Sequence, residues 1–328
     1  MDAANLAGAE VENRPITLEG VKSMMTFSTF AISPDFDDSF ACPILQISSL
    51  CSQWCDEISK LAHTYQVSTT DVERQIKLHA PQFELSRFKG SGTRLPDELR
   101  SILARRFIDY PAKVQEWARG GDAVDTGLPR WEDAAVSHVS AKMGLEIESN
   151  FHYLRNPRRD AHIRIGVRAD ASELPILYAS SGICDRSYIE EALSCAIDTQ
   201  VKDTWTIARV YSTRSLPKNS MSRFYRAIIR RLREEGAQYV VTAINPFLGF
   251  NGRSVIASDF HPFALAPVTY QYDENGIYTT RRNLETPKIF SSWQPPSNVL
   301  LVRGLTKQAY QRIQRIRSVV NITEKAPE

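Results

Sequence analysis

The stretch from Thr204 to Phe260, TWTIARVYSTRSLPKNSMSRFYRAIIRRLREEGAQYVVTAINPFLGFNGRSVIASDF, limits the possible folds most. Trp205, Ile207 and Val210 predict a strand over Thr204–Tyr211, with Arg209 either buried at its edge or exposed. A polar loop follows. Met221, Phe224, Ile228, Ile229 and Leu232 then recur at helical steps and predict a helix from about Asn219 to Glu235, closed by Gly236. Arg223, Arg226, Arg230 and Arg233 fall on its opposite face. Tyr239–Ile244 is a continuous apolar run, as in strands buried on both faces. A strand feeding a polar loop and a helix start suits phosphates, because unpaired backbone N–H groups and the helix dipole meet there. Lys218, Asn219, Ser220, Ser222 and Arg223 are therefore candidate phosphate contacts. The plain alternative is a capped helix with a solvated basic face.

The other segments are read around this unit. Residues 1–15 are expected to be a flexible leader and residues 16–145 a mainly helical region. Ile47, Leu50, Cys51, Trp54, Ile58 and Leu61 form an apolar stripe, and Ser68 is placed to cap a second helix with Val72 and Ile76 inward. LAHTYQVSTTDVERQI has the cadence of a helix-turn-helix, although Asp71 and Glu73 would repel phosphate; an ordinary helical pair is the alternative. Pro96-Asp-Glu-Leu opens a helix to about Phe107. A short helix is expected around Pro111–Arg119, a linker over Gly120–Pro129, and an amphipathic helix over Trp131–Gly144 ending on its glycine. Beyond Glu146 the pattern turns to strands: a hairpin from Ala161–Arg168 and Glu173–Ser180, and a second from Val268–Tyr272 and Ile277–Arg281 around Asn275-Gly276. Ser187–Cys195 reads as a helix with Tyr188, Ala192 and Leu193 inward. Val299–Val302 reads as a strand and Thr306–Val320 as a basic helix carrying Lys307, Arg312, Arg315 and Arg317.

The 328 residues include 42% hydrophobic and 24% charged, enough for a sizeable core. The net charge of +2 does not by itself call for nucleic acid, so such a partner must rest on local patches. The five cysteines have no second Cys/His pair at zinc spacing, which favours buried reduced thiols and no metal. The chain has no long apolar run and its start lacks signal-peptide character, so a cytoplasmic location without membrane contact is expected.

From His152 the order is hairpin, helix, strand, loop, helix, strand, helix, hairpin, which resembles the GNAT acyltransferase superfamily. The resemblance implies an α+β fold for residues 146–284: a central mixed, mostly antiparallel sheet with splayed strands, flanked by helices. A mainly helical region would precede it, and residues 285–328 would form a C-terminal loop and basic helix. It also implies acetyl-CoA or another acyl-CoA in the splay, with its pyrophosphate on the loop before the long helix. The superfamily's glycine-rich loop is replaced here by Pro217-Lys218-Asn219-Ser220-x-Ser222-Arg223. That variant, with Asn245-Pro246 and Gly249-Phe-Asn-Gly252, is similar to the Mom family of phage DNA-adenine modification proteins. By this resemblance Tyr211, Ser212 and Pro217 join the cofactor contacts.

Acyl transfer needs a positioned neutral amine, a polarised carbonyl and a proton for the leaving thiolate. A backbone N–H at Val210–Ser212 is a candidate polarising group and Ser254 a candidate proton donor. Asn245 is placed to orient the substrate, with Asp259 or His261 as base. Each has a plainer reading: a turn for Asn245-Pro246, a cap for Asp259, a surface turn for His261. The expected function is an acyl-CoA-dependent N-acyltransferase, with adenine in DNA as acceptor. The alternatives are a small amine, peptide or aminoacyl-tRNA as acceptor, or a non-catalytic DNA- or protein-binding module. The oligomeric state is left open.

Overall fold

The computed structural model describes residues 47–83, 92–108, 136–168, 175–212, 216, 218–279, 289–295, 297–316 and 319–322. The expected leader, the short helix at 111–119, the linker at 120–129 and Pro217 lie outside these residues.

The first described part is helical. Residues 47–53 are helical and lead into α1 (Cys55–Thr64), α2 (Thr69–His79) and α3 (Asp97–Phe107). Ser68 caps α2 as expected: its Oγ accepts from the Asp71 N–H at 3.0 Å, and the Asp71 carboxylate reaches back to Ser68. Gln66 takes the left-handed turn, with φ +52°. Val72, Gln75, Ile76, Leu78 and His79 of α2 are buried, and Arg74 is engaged on the Leu248 carbonyl at 3.2 Å.

A helix does not fill Trp131–Gly144. Val136–His138 is β1, Ser140 caps α4 (Ala141–Asn150), and Gly144 lies inside that helix. Val136, Ser137 and His138 pair antiparallel with Val167, Gly166 and Ile165 of β2 (Ile163–Val167). Gly144 serves close packing instead: a Cβ there would lie 2.7 Å from the Tyr178 hydroxyl and would also strike Arg164. β3 (Leu177–Ile183) and α5 (Ser187–Ile197) follow. On α5, Ile189, Ala192 and Leu193 face inward; Tyr188 does not, because it stands one position off that stripe.

The constraining stretch folds as β4 (Thr204–Ser212), α6 (Ser220–Glu234), β5 (Tyr239–Ile244) and the short α7 (Arg253–Ile256). α6 buries Phe224, Tyr225, Ile228, Ile229 and Leu232 and exposes its arginines. Full burial of each such apolar side chain is worth about 1.5–3 kcal/mol, which holds the helix to the sheet. Gly236, at φ +85°, ends it as expected. The run HPFALA forms an unanticipated strand, β6 (His261–Ala266). The second hairpin is shorter than expected and does not join the large sheet. Its arms, β7 (Tyr270–Tyr272) and β8 (Tyr278–Thr279), form a separate sheet with β9 (Ser291–Trp293). That sheet shares its apolar core with the N-terminal helices, through Tyr270, Tyr272 and Trp293. β10 (Asn298–Gly304) covers the expected strand. The last helix, α8 (Lys307–Ile313), ends early and β11 (Val320–Asn321) follows, because Val319, Val320 and Ile322 fit the sheet edge.

The large sheet has the order β1-β2-β3-β4-β5-β10-β6-β11. Its pairings are antiparallel except β4–β5 and β6–β11. α6 covers one face over Trp205, Ile207, Val240 and Leu301. α5 and α8 cover the other, over Tyr239, Val241, Phe263 and Val302. The α+β architecture expected from the sequence is present: a mixed, mostly antiparallel sheet flanked by helices, with a helical N-terminal region. No helix among the described residues is long and apolar enough to cross a membrane.

Candidate active site

The two central parallel strands begin as partners and then part. Their register runs from Thr204↔Tyr239 to Ile207↔Thr242. Thr242 Oγ1 donates to the Ile207 carbonyl at 3.2 Å, and there the pairing ends. The cause is visible on the other side of β4. Ser180 pairs with Arg209 and Ser181 with Ile207, so Ala208 is an extra residue. A bulge of this kind bends its strand and reverses which face later side chains take. Trp205 and Ile207 lie in the core under α6, and so does Val210. Tyr211 is sent to the opposite face, where its ring meets Phe151 at 5.9 Å. Arg209, two residues earlier, goes with it and bonds the Asn156 carbonyl.

Between the parted strands lies a cavity of about 1050 Å³. Met221, Tyr225 and Val255 line it from the α6 side of the sheet, and Ile189, Val241 and Leu300 from the α5 side. The cavity therefore passes through the sheet. β4 from Ala208 and β5 from Ala243 have no strand between them there, so backbone N–H and C=O groups border the gap. Phe250, Asn251 and Arg253 close one wall, and Val268, Gln271 and Tyr278 another.

The predicted residues divide between this cavity and its surroundings. Ser212, Asn245 and Ser254 line it. Asn245 is held at both ends: Nδ2 donates to the Tyr270 hydroxyl at 2.6 Å and Oδ1 accepts from the Leu248 N–H at 3.2 Å. Lys218, Asn219 and Arg223 are exposed at the start of α6, whereas Ser220 is buried. Asn219 takes φ +70° and gives no side-chain cap, and the Ser222 carbonyl accepts from Ser258 Oγ at 3.5 Å. Met221, in the same turn, reaches the cavity, so the helix start borders its mouth. Tyr211 is not among the lining residues; its ring packs on Phe151. Asp259 and His261 stand apart from the lining: Asp259 pairs with Arg303 at 3.4 Å, and His261 Nε2 meets Gln314 Nε2 at 2.8 Å. Cys51 is the one buried cysteine among those described; burial pushes its thiol up to about 12. No cluster of His, Cys, Asp and Glu suited to a metal occurs among the described residues.

Several lining groups were not anticipated. His152 is buried, which holds its pKa well below the usual imidazole value, helped by Arg209 and Arg74. Its Nδ1 accepts from the Leu154 N–H at 3.3 Å, so the neutral ring carries its proton on Nε2. Tyr278 is pushed up to about 12 by burial, and burial also raises Tyr225 and Tyr153. All three phenols thus remain proton donors at neutral pH. Arg158 and Asp160 form a two-pronged pair at 2.7 and 2.6 Å on the rim. Apart from Tyr225 on α6, nothing local in the sequence ties these side chains to residues 204–260; they arrive on the 152–160 segment and on the small sheet.

No family model matches the chain, and no curated protein matches it. Solved structures with a similar course do exist. An aminoglycoside acetyltransferase in complex with coenzyme A and kanamycin is 12% identical, with 55% of this chain and 99% of that one covered and a TM-score of 0.34. A putative acetyltransferase of the GNAT family from Desulfovibrio desulfuricans is 11% identical, covering 60% and 94%, at 0.28. A polyamine N-acetyltransferase from Drosophila melanogaster is 14% identical, covering 52% and 100%, at 0.32. At these identities and scores the likeness fixes neither ligand nor substrate.

Proposed function

We propose that the chain is an acyl-CoA-dependent N-acyltransferase of GNAT type. The observation that carries this is the through-sheet gap between β4 and β5, opened by the Ala208 bulge and bordered by the start of α6. The donor, when bound, supplies an activated thioester carbonyl. An extended pantetheine-like arm fits a gap edged by free strand backbone, because it can take amide hydrogen bonds in place of the missing strand. The residues around the start of α6, namely Lys218, Asn219, Ser220, Ser222 and Arg223, are suited to its phosphates through N–H groups and positive charge.

The chain's own groups then divide the work. Backbone N–H groups of Val210–Ser212 polarise a carbonyl oxygen in the gap. The amine enters from the α5 side, past Ile189 and Asp185. Its nitrogen forms the new C–N bond, its proton leaves toward solvent along that rim, and the C–S bond breaks. Tyr278, Tyr225 or Ser254 returns a proton to the sulfur; the tyrosines are kept protonated by burial. Asn245 fixes the turn at 246–250 that carries Phe250 into the wall. Titration calorimetry with acetyl-CoA and longer acyl-CoAs tests the donor. Micromolar binding is expected, and no binding at high micromolar concentration sinks the reading.

A finer reading places the acceptor amine on adenine in DNA, after the resemblance to the Mom family. One observation favours it: Arg223, Arg226, Arg230 and Arg233 form an exposed row along α6. The base would have to be flipped from the duplex, at a cost of a few kcal/mol. Mass spectrometry of nucleosides from expressing cells decides this. Unmodified adenine alongside a folded protein that binds acyl-CoA removes DNA and leaves the transferase.

A further inference from the structure

The same bulge that opens the gap puts an arginine into it. Arg209 lines the cavity, half-buried, on the face opposite α6. Its Nε and one terminal nitrogen donate to the Asn156 carbonyl at 3.3 and 3.2 Å, and the other terminal nitrogen donates to the Ala208 carbonyl at 2.8 Å. A guanidinium has five N–H groups, so one remains on each terminal nitrogen. Those partners are all neutral carbonyls, and among the described residues no carboxylate pairs with Arg209. Glu148 acts on it electrostatically but is taken by the Tyr178 hydroxyl, at 2.7 Å, and by the Arg158 N–H. Desolvation lowers the Arg209 pKa, as expected of a cation withdrawn from water without a counter-ion.

The surroundings repeat the sign. Arg158, Arg159, Arg186, Arg209 and Arg253 line the cavity, against Asp160 and Asp185. Asp160 is committed to Arg158 by the two-pronged pair. Arg186 donates to the Tyr188 hydroxyl at 2.9 Å, outside the cavity lining, and Arg253 is exposed at the rim. A polyamine or aminoglycoside would carry its positive charges into this field. A substrate bearing a carboxylate or phosphate would instead supply the counter-ion that Arg209 lacks, and a guanidinium takes either group through paired N–H donors.

We propose that the α5-side end of the cavity is an anion subsite centred on Arg209, which holds a carboxylate or phosphate of the acceptor. Calling the ligand the acceptor rests on the acyl-transfer reading; the anion site itself does not. Three probes are titrated into the full chain saturated with CoA: succinate, inorganic phosphate and agmatine. At least one anion is expected to bind, with the carboxylate and phosphate arms telling the two chemistries apart, and agmatine is not. Arg209→Gln should weaken the anion at least tenfold while leaving acetyl-CoA affinity within twofold, and Arg209→Lys should recover part of the loss. Should Arg209→Gln fail to fold, the double variant Arg186→Gln/Arg253→Gln, both at the rim, should still weaken the anion severalfold. Agmatine binding in preference to both anions overturns the proposal, as does unchanged anion affinity in the variants. If the wild-type chain ignores acetyl-CoA yet binds an anion that Arg209→Gln loses, the subsite stands and the transferase reading falls.

Discussion

His79 should make the fold acid-sensitive by a calculable amount. It ends α2, fully buried, with Nδ1 at 2.9 Å from the Gln75 carbonyl. The Tyr278 N–H points at its Nε2, 3.3 Å away. Both bonds suit a neutral ring protonated on Nδ1; a second proton would set Nε2 against the Tyr278 N–H. Burial, and then Arg106, lower its pKa from 6.5 to about 3. The unfolded chain therefore takes up a proton near pH 6.5 that the native chain refuses until about pH 3. The stability due to neutral His79 is whole above pH 6.5 and drains as the pH falls toward 3. At pH 5 the loss comes to about 2 kcal/mol, and a native pKa anywhere below about 4 gives nearly the same figure. Urea unfolding of the wild type and of His79→Gln at pH 8 and pH 5 isolates the effect, since the other histidines are common to both. Glutamine should be the less stable at pH 8, and the gap should shrink by about 2 kcal/mol at pH 5. A gap constant to within a few tenths of a kcal/mol would refute a neutral buried His79. The outcome matters for the site because His79 ties α2 to β8, where Tyr278 lines the cavity.

Other expectations follow from single contacts. Tyr178→Phe removes the hydroxyl bonded to buried Glu148 and should cost about 1.5–3 kcal/mol by chemical denaturation, because a carboxylate is left short of a donor. Gly144→Ala should cost about 1–3 kcal/mol, since its methyl meets Tyr178 and Arg164; a neutral result would mean α4 can retreat. Asp259→Asn should leave steady-state acyl transfer within about twofold and stability within about 1 kcal/mol, because the carboxylate is largely solvated on Arg303. A hundredfold fall in turnover would return Asp259 to the chemistry.

What could be read in advance depended on whether a signal was local. Ser68, Pro96 and Gly236 act on backbone within a turn of themselves, so the helix ends they mark appear where expected. The α6 stripe is equally local, because its apolar period needs only one partner surface. The misplaced helix over Trp131–Gly144 fails for the complementary reason. Ser140 marks the true helix start, but Gly144 looks like an end when its role is to let Tyr178 and Arg164 approach. Those two residues lie 20 and 34 positions downstream, beyond any local signal. The cavity walls are non-local in the same sense. Tyr153, Tyr278 and Arg186 line one cavity only because the 152–160 segment, the small sheet and the turn between β3 and α5 come together at the splay.

One feature of the site was nevertheless written locally, as an odd number. In a regular strand, side chains of one face recur in even steps. Trp205 to Ile207 is two residues; Ile207 to Val210 is three, yet all three share the core under α6. The only way to keep both steps on one face is to insert a residue between them, and Ala208 is that residue. The insertion turns β4 from β5 at the point where their pairing stops, which makes a gap. It also carries Arg209 from the core face to the cavity's other side. Without the bulge Arg209 would enter the apolar layer with Ile207, Phe224 and Ile228, where a lone cation would cost several kcal/mol. Opening the sheet and charging its opening are thus one structural event, and a β4 that took Ala208 into regular pairing would have to replace the arginine as well.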